Sequence, residues 1–229
     1  MITLQMHDSL ALLTMDDGKA NAMNEMFLTA LDQCLDQAQE ASALVIAGRA
    51  GFFSGGLDLK TLPGLPEVDF LRTVNLFERV MRKVLTFPRP TLARVQGHAM
   101  AGGAGLMLCC DQVVGGLGPY KVGLNEVAIG LPLPEFVLQL GRSRLQTADH
   151  RRALLLGQTY TPEEARRVGY LDELVEDPES VTLERARDAA RLSPLAYERT
   201  KKLMIQSVVA VPEGQRASSV AQGFFSQLG

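Results

Sequence analysis

Hydrophobic positions along this chain alternate between strand and helix periods. Residues 2–6 (Ile-Thr-Leu-Gln-Met) and 10–15 (Leu-Ala-Leu-Leu-Thr-Met) read as strands joined by the turn-prone pair Asp8-Ser9. Over 25–38, Phe27, Leu28, Leu31, Leu35 and Ala38 recur at helical spacing. Residues 43–47 (Ala-Leu-Val-Ile-Ala) form a continuous apolar run ending at Gly48, the pattern of a strand buried on both faces. A helix is predicted over 69–85, with Phe70, Val74, Phe77, Val80, Met81 and Val84 on its apolar face. It ends at Pro88 and Pro90, ahead of a buried strand at 91–95 and another at 111–114. This strand–helix alternation predicts an α/β layered core with parallel strands.

Beyond about residue 134 the pattern is mostly helical. Thr161-Pro162 reads as an N-cap followed by proline at the first helical position, and Gly169 as the stop of that helix. Leu174-Val175 reads as a short extended piece, and Ser193-Pro194 opens a late helix. No internal repeat or low-complexity tract is visible in the sequence.

Composition narrows the function classes. At 229 residues the chain can bury one substantial core, so one main domain is the simplest expectation. A formal net charge of −3 argues against a general nucleic-acid or membrane-surface binder. The first residues lack a basic segment followed by a long apolar one, and no apolar run approaches the roughly 20 residues of a membrane-spanning helix. Cys34, Cys109 and Cys110 lie in apolar-patterned segments and read as buried, reduced thiols, with a cytoplasmic location expected. No cluster of His, Cys and carboxylates has metal-ligand spacing, so no metal is expected.

Two small-residue runs interrupt the pattern where strands should end: Phe53-Ser54-Gly55-Gly56-Leu57-Asp58-Leu59 and Gly97-His98-Ala99-Met100-Ala101-Gly102-Gly103-Ala104-Gly105. Small residues let backbone approach a ligand closely, and amides at a helix start lack intrahelical acceptors. Two such turns at neighbouring strand ends can aim two N–H groups at one developing oxyanion. Each run alone reads as readily as a tight packing turn, and neither matches a phosphate-binding loop or a dinucleotide fingerprint.

Together with Gly123-Leu124-Asn125-Glu126-Val127-Ala128-Ile129-Gly130, the two runs resemble the three ordered motifs of the crotonase family, the enoyl-CoA hydratases and isomerases. The resemblance extends from the N-terminal strands to about residue 205. It implies a spiral of ββα units over residues 1–190 and a helical C-terminal part, 191–229, that packs at trimer contacts and is shorter than in many relatives. It also implies a homotrimer or dimer of trimers. The substrate implied is an acyl-CoA thioester, with coenzyme A part of the substrate and no separate cofactor.

Carried over residue by residue, the resemblance makes the amides of Leu57 and Gly102 the oxyanion donors and Glu126 the proton-transferring base. Losing one such donor typically costs about 3–4 kcal/mol of transition-state stabilisation. The resemblance sets adenine against the backbone of Lys19, Ala20, Asn21 and Ala22, and pantetheine along Gly55, Gly56, Leu57, Asp58 and Leu59. Lys60 is a candidate phosphate contact, and Ala101, Gly103 and Gly130 are further substrate-contacting positions.

The sequence also departs from the pattern. Hydratases hold water with two carboxylates, and the first aligns with Gly105, which has no side chain. A single carboxylate suffices to shift a double bond from 3-enoyl to 2-enoyl thioester, and Gly-Leu-Asn-Glu is similar to the string around the lone base of Δ3,Δ2-enoyl-CoA isomerases. Isomerisation is therefore expected, with hydration or acyl-CoA binding without turnover as alternatives. Glu135 is a candidate second acid, although a glutamate opening a helix after proline commonly just complements the helix dipole. His98 reads as packing near its turn rather than as an acid or base. Asp16 and Asp17 stand where relatives carry a different loop, and they are expected to face solvent.

Overall fold

The computed structural model describes residues 2–212. Strands β1 (Ile2–His7) and β2 (Leu10–Met15) pair antiparallel around a turn in which Asp8 takes φ 55°. From β2 onward one arrangement recurs. A strand of the large sheet is followed by short strand segments and then a helix: β2, β3 (Ala22–Met23), α1 (Glu25–Gln37); β4 (Ala43–Ala47), β5 (Gly51–Ser54), β6 (Gly56–Leu57), α2 (Glu67–Leu85). It continues with β7 (Thr91–Val95), β8 (Gly97–Met100), α3 (Gly102–Leu108), then β9 (Gln112–Gly116), β10 (Val122–Gly123), α4 (Glu135–Arg144). The structural repeat has no counterpart as a sequence repeat, because each unit needs only a buried strand, a short turn-strand and an amphipathic helix.

Strands β1, β2, β4, β7 and β9 lie in that order in a six-stranded sheet, closed at its far edge by β11 (Glu173–Val175). All its pairings after β1–β2 are parallel. The short strands form two small sheets of their own, β10–β8–β5 and β3–β6. Strands β4 and β7 have the predicted bounds and are buried throughout, as parallel strands covered on both faces must be. The helix expected over 69–85 starts two residues earlier, after Pro66, and the strand expected at 111–114 runs instead over β9.

Helix α1 buries Phe27, Leu28, Leu31 and Leu35 against the sheet, and the Asn24 side chain caps it by accepting the Phe27 amide at 2.9 Å. Helix α5 (Pro162–Val168) carries a reciprocal capping box between Thr161 and Glu164 and stops at left-handed Gly169. Helix α6 (Pro178–Ala189) covers the outer face of the sheet, followed by α7 (Pro194–Met204) and α8 (Gln206–Val209). The Asp111 carboxylate ties α7 to the core: it accepts from the Thr91 amide and hydroxyl, the Tyr197 hydroxyl and Lys201 Nζ. Arg82 of α2 makes a buried pair with Glu78, stacks over Phe136 and donates to the carbonyls of Val209 and Val211. Residues 213–229 of the expected C-terminal part lie outside the described residues.

The loop before β3 is held by side chains rather than by a ladder. Fully buried Asn21 takes φ 50°; its Nδ2 donates to the carbonyls of Met15 (2.9 Å) and Phe53 (3.0 Å), and its Oδ1 accepts the Asp17 amide. Ser54 Oγ donates to the Asn21 carbonyl at 2.7 Å. Asp17 was expected to face solvent; instead its carboxylate accepts the amides of Lys19, Asn21 and Ala22, which brings its pKa below the ordinary value despite the opposing cost of burial. Asp16 accepts the Gly18 amide and pairs with Arg49. The two acids thus neutralise themselves against local donors instead of projecting at a ligand.

Replacing Asn21 leaves two buried carbonyls and an amide short of partners, at about 1–3 kcal/mol for each unsatisfied buried group. Asn21→Ala is expected to lower unfolding free energy by about 3 kcal/mol or more, read as a drop in the urea midpoint; an unchanged midpoint would show that the loop is not held this way.

Candidate active site

The β5–β6 turn and the start of α3 touch through backbone. Gly56 (φ 83°) lies so close to the second turn that a Cβ on it would stand 2.8 Å from the Gly102 nitrogen and 3.0 Å from the Met100 carbonyl oxygen. Only glycine fits, on grounds of both space and conformation. Gly103 packs as tightly on the first turn: a Cβ there would lie 2.2 Å from the Ser54 carbonyl oxygen. Parallel strands β5 and β8 bring the two turns side by side.

This contact orients two amides. In the β3–β6 pairing the Asp58 amide donates to Met23, while the Gly56 amide is taken by Ser54 Oγ at 3.1 Å. The Leu57 N–H between them is directed away from β3, because successive amides along a strand point to opposite sides. Gly102 is the first residue of α3, so its N–H has no intrahelical acceptor. Ala101 enters α3 at φ 48°, ψ −124°, a conformation that costs an alanine about 1–3 kcal/mol. Hydrogen bonds from its amide to Gly123 and from Gly105 to its carbonyl hold it there.

Beside these amides lies a narrow slot with about 60 Å3 of free space. Gly55, Leu57, Leu59, Ala101 and Gly102 form one side, and Val74 and Phe77 of α2 another. The third side is Glu126 with Ile129, Leu131, Pro132, Pro134 and Val137. Larger cavities exist, including an open groove of about 430 Å3 beside Arg142 and Arg151 and a more enclosed one of about 300 Å3 between Leu108 and Lys201, but neither gathers the paired turns or Glu126.

Glu126 is the one polar side chain lining the slot among the described residues. It is only 7% exposed, and its Oε2 has no hydrogen-bond partner among the described residues. Burial among apolar groups pushes its pKa up to about 7 from 4.5, and its own backbone amide offsets part of that rise. A carboxyl in this state can both take and return a proton near neutral pH.

The remaining candidates fall into distinct places. Ala20 accepts the Gly55 amide at 2.8 Å, so the segment holding Lys19, Ala20 and Ala22 runs alongside the slot rim; Lys19 itself is exposed. Asp58 closes a local turn by accepting the Lys60 amide, and Lys60 is exposed. Gly130 is the left-handed cap of a short 3-10 turn that begins just after Glu126. Glu135 opens α4 as an exposed residue and does not line the slot. His98 Nδ1 accepts the Lys121 amide, and its ring packs against Phe52, in keeping with a packing role. Among the described residues, no group of three or more His, Cys, Asp or Glu could hold a metal, and no helix is long and apolar enough to cross a membrane.

Sequence reasoning did not single out the slot walls. Phe77 and Val74 read as ordinary core positions of an amphipathic helix, and the Leu131–Val137 wall lies in a proline-broken stretch with no periodicity. The signal that was present is the density of prolines (Pro132, Pro134) just after Glu126.

Comparison with known proteins accords with this geometry. Residues 5–228 match the Enoyl-CoA hydratase/isomerase family. The chain belongs to that family. It is 31% identical to Enoyl-CoA delta isomerase 3 of Arabidopsis thaliana, over 77% of this chain and 78% of that protein. It is also 31% identical to the 2,3-dehydroadipyl-CoA hydratase of Escherichia coli, over 86% of this chain and 78% of that one. A Mycobacterium tuberculosis protein solved in apo form, described both as an enoyl-CoA isomerase and as a probable enoyl-CoA hydratase, superposes with a TM-score of 0.85 at 30% identity, covering 98% of this chain and 96% of that one. The expected crotonase fold is therefore the fold of this family member, and its relatives carry both activities.

The raised pKa of Glu126 has a cost in stability whose sign follows from linkage. Below pH 4.5 the carboxyl is protonated folded and unfolded, and contributes nothing. Between pH 4.5 and about 7 only the unfolded chain ionises, so stability falls as pH rises, by about 3 kcal/mol in all. Glu126→Gln is expected to melt above the unsubstituted protein at pH 8, with the difference shrinking towards pH 4. A pH-independent difference would mean that the folded carboxyl titrates normally.

Proposed function

We propose that this family member shifts a double bond in an enoyl-CoA thioester, from the 3-enoyl to the 2-enoyl position, with Glu126 as its only proton carrier. The observation that carries this reading is a lone, buried carboxyl whose Oε2 has no hydrogen-bond partner among the described residues, in an otherwise apolar slot beside two backbone turns. Glu126 takes a proton from C2, the amides of Leu57 and Gly102 hold the negative charge that develops on the thioester oxygen, and the same carboxyl returns the proton at C4. The positive end of α3 adds to that charge stabilisation. Coenzyme A runs in this reading along Gly55–Leu59, with its adenine near residues 19–22 and Lys60 near a phosphate.

Hydration is the second reading, favoured by the hydratase among the relatives. It needs a second group to hold water, and the position aligned with the missing carboxylate is occupied by a neighbour. A Cβ on Gly105 would sit 2.8 Å from Met81 Cε and 3.8 Å from Val137 Cγ1. A glutamate there would have to move the end of Met81, while Val137 stands at ordinary contact distance.

Assays of the purified protein with 2-enoyl- and 3-enoyl-CoA thioesters separate the two readings. Isomerisation is expected to dominate, with hydration of crotonyl-CoA slow; efficient hydration would overturn the assignment. Because Glu126 acts as base, kcat/KM is expected to fall about tenfold per pH unit below about 7 and to level off above it. Glu126→Gln is expected to retain thioester binding and lose turnover by about 10²–10⁴-fold. Near-normal turnover would remove Glu126 from the mechanism, whereas a comparable loss in Glu135→Gln would point to two acids.

We also propose a trimer or dimer of trimers. Leu192 in the α6–α7 link and Leu195, Leu203 and Met204 of α7 are each more than half exposed, apolar surface of the kind an interface covers, whereas Val208 folds inward. Closed symmetry covers such a face without open ends. Light scattering at micromolar concentration is expected to give three or six chain masses; a mass near one chain refutes the assembly.

A further inference from the structure

Helix α2 meets α3 through two glycines. A Cβ on Gly102 would lie 2.8 Å from Phe77 Cζ and 2.9 Å from Phe77 Cε2, and the corresponding position on Gly105 is taken by Met81 Cε at 2.8 Å. Phe77 and Met81 are four residues apart on one face of α2, and Gly102 and Gly105 are three apart on one face of α3. A two-residue ridge is thus seated over two glycines, where a Cβ would meet the Phe77 ring at 102 and the flexible end of Met81 at 105. The Phe77 ring lines the slot and stands flush against the residue whose amide faces it. Met81, buried to 1% exposure, fills the space behind, with Val137 closing on the same point. Pro132 and Pro134 stiffen the far wall. The slot's free space of about 60 Å3 is only about twice a water molecule's share of the liquid, so little room is left beside the ring.

We propose that the Phe77–Met81 ridge is the width gauge of the acyl slot and makes this site select thioesters unbranched at the carbon next to the carbonyl. The inference rests on the acyl-thioester reading above, since it is the Gly102 amide on the carbonyl oxygen that sets C2 beside the ring. A methyl group on C2 has to move an aromatic ring that is already packed against backbone, with Met81 behind it, whereas a straight chain passes. One methylene in an apolar pocket changes discrimination by about 10–200-fold.

Saturated thioesters test this without turnover. Dissociation constants of butanoyl-CoA and 2-methylbutanoyl-CoA are measured by calorimetry on the full chain, with a thermal melt of every variant. The branched compound is the more apolar, so without a gauge it binds at least as well. The unsubstituted protein is expected to prefer butanoyl-CoA by about tenfold or more. Phe77→Ala is expected to bring the two constants within threefold, and Phe77→Leu to fall between. Met81→Ala, which leaves the ring in place but removes its backing, is expected to relax the preference as well and serves if Phe77→Ala fails to fold. Equal affinities in the unsubstituted protein, or an unchanged ratio in a folded variant, overturn the gauge and leave the acyl-thioester reading standing. Failure of both thioesters to bind the unsubstituted protein overturns that reading and the gauge with it.

Discussion

The organisation of this molecule turns on one backbone contact, the approach of Gly56 to the first amide of α3. To bring two loops from different turns of the spiral within touching distance, the chain gives up side chains at 56, 102, 103 and 105 and accepts an alanine at positive φ. The surrounding architecture sustains that contact. Parallel pairing of β5 with β8 sets the separation of the loops, and Asn21, with Ser54, binds the preceding segment to the first loop from behind. Phe77 and Met81 press α2 against the second loop. Remove the contact and there remains a stable-looking α/β spiral with no place where two amides converge.

The electrostatics of the slot follow from the same crowding. A carboxyl surrounded by leucine, isoleucine, proline and valine side chains cannot shed its proton as it would in water, and among the described residues no cation lines the slot to restore the balance. The protein tolerates this because the rest of the core is ordinary and extensive, while the other buried charges among the described residues have ion-pair partners: Lys201 with Asp111, Arg82 with Glu78 and Arg94 with Glu179. Among the described residues Glu126 is the buried carboxyl with no ion-pair partner, and in the proposed reaction it is the group that moves the proton.

Much of the frame is legible in the sequence because it depends on local period. Residues 43–47 and 91–95 announce buried parallel strands by uninterrupted apolar character, and Thr161-Pro162 and Gly169 mark the two ends of α5 by residue type. The two motif turns were legible as small-residue runs, and their meaning came from resemblance. What could not be read locally is what depends on distant approach. Strands β3, β6 and β10 are two residues each, too short to carry a period, and they exist because loops far apart in sequence are pressed together. Asp17 looked like an exposed acid because nothing in its neighbours says that three following amides turn back onto it. Phe77 looked like any core residue, since helical spacing cannot distinguish a side chain facing the sheet from one facing a slot. Glu126 ran against the usual exposure of its residue type, and only its apolar neighbours hinted at burial.

In the proposed reaction the two donors, at Leu57 and Gly102, are main-chain atoms, and that has an evolutionary consequence. No exchange of side chain deletes an N–H unless it installs proline, so the information for this part of the chemistry is stored in the path of the chain rather than in its letters. Roughly seven in ten residues differ from a relative whose backbone still superposes at a TM-score of 0.85. A lineage built this way can rewrite nearly everything around the two turns and keep their amides in place. Diversification is then concentrated in the few side chains that look into the slot.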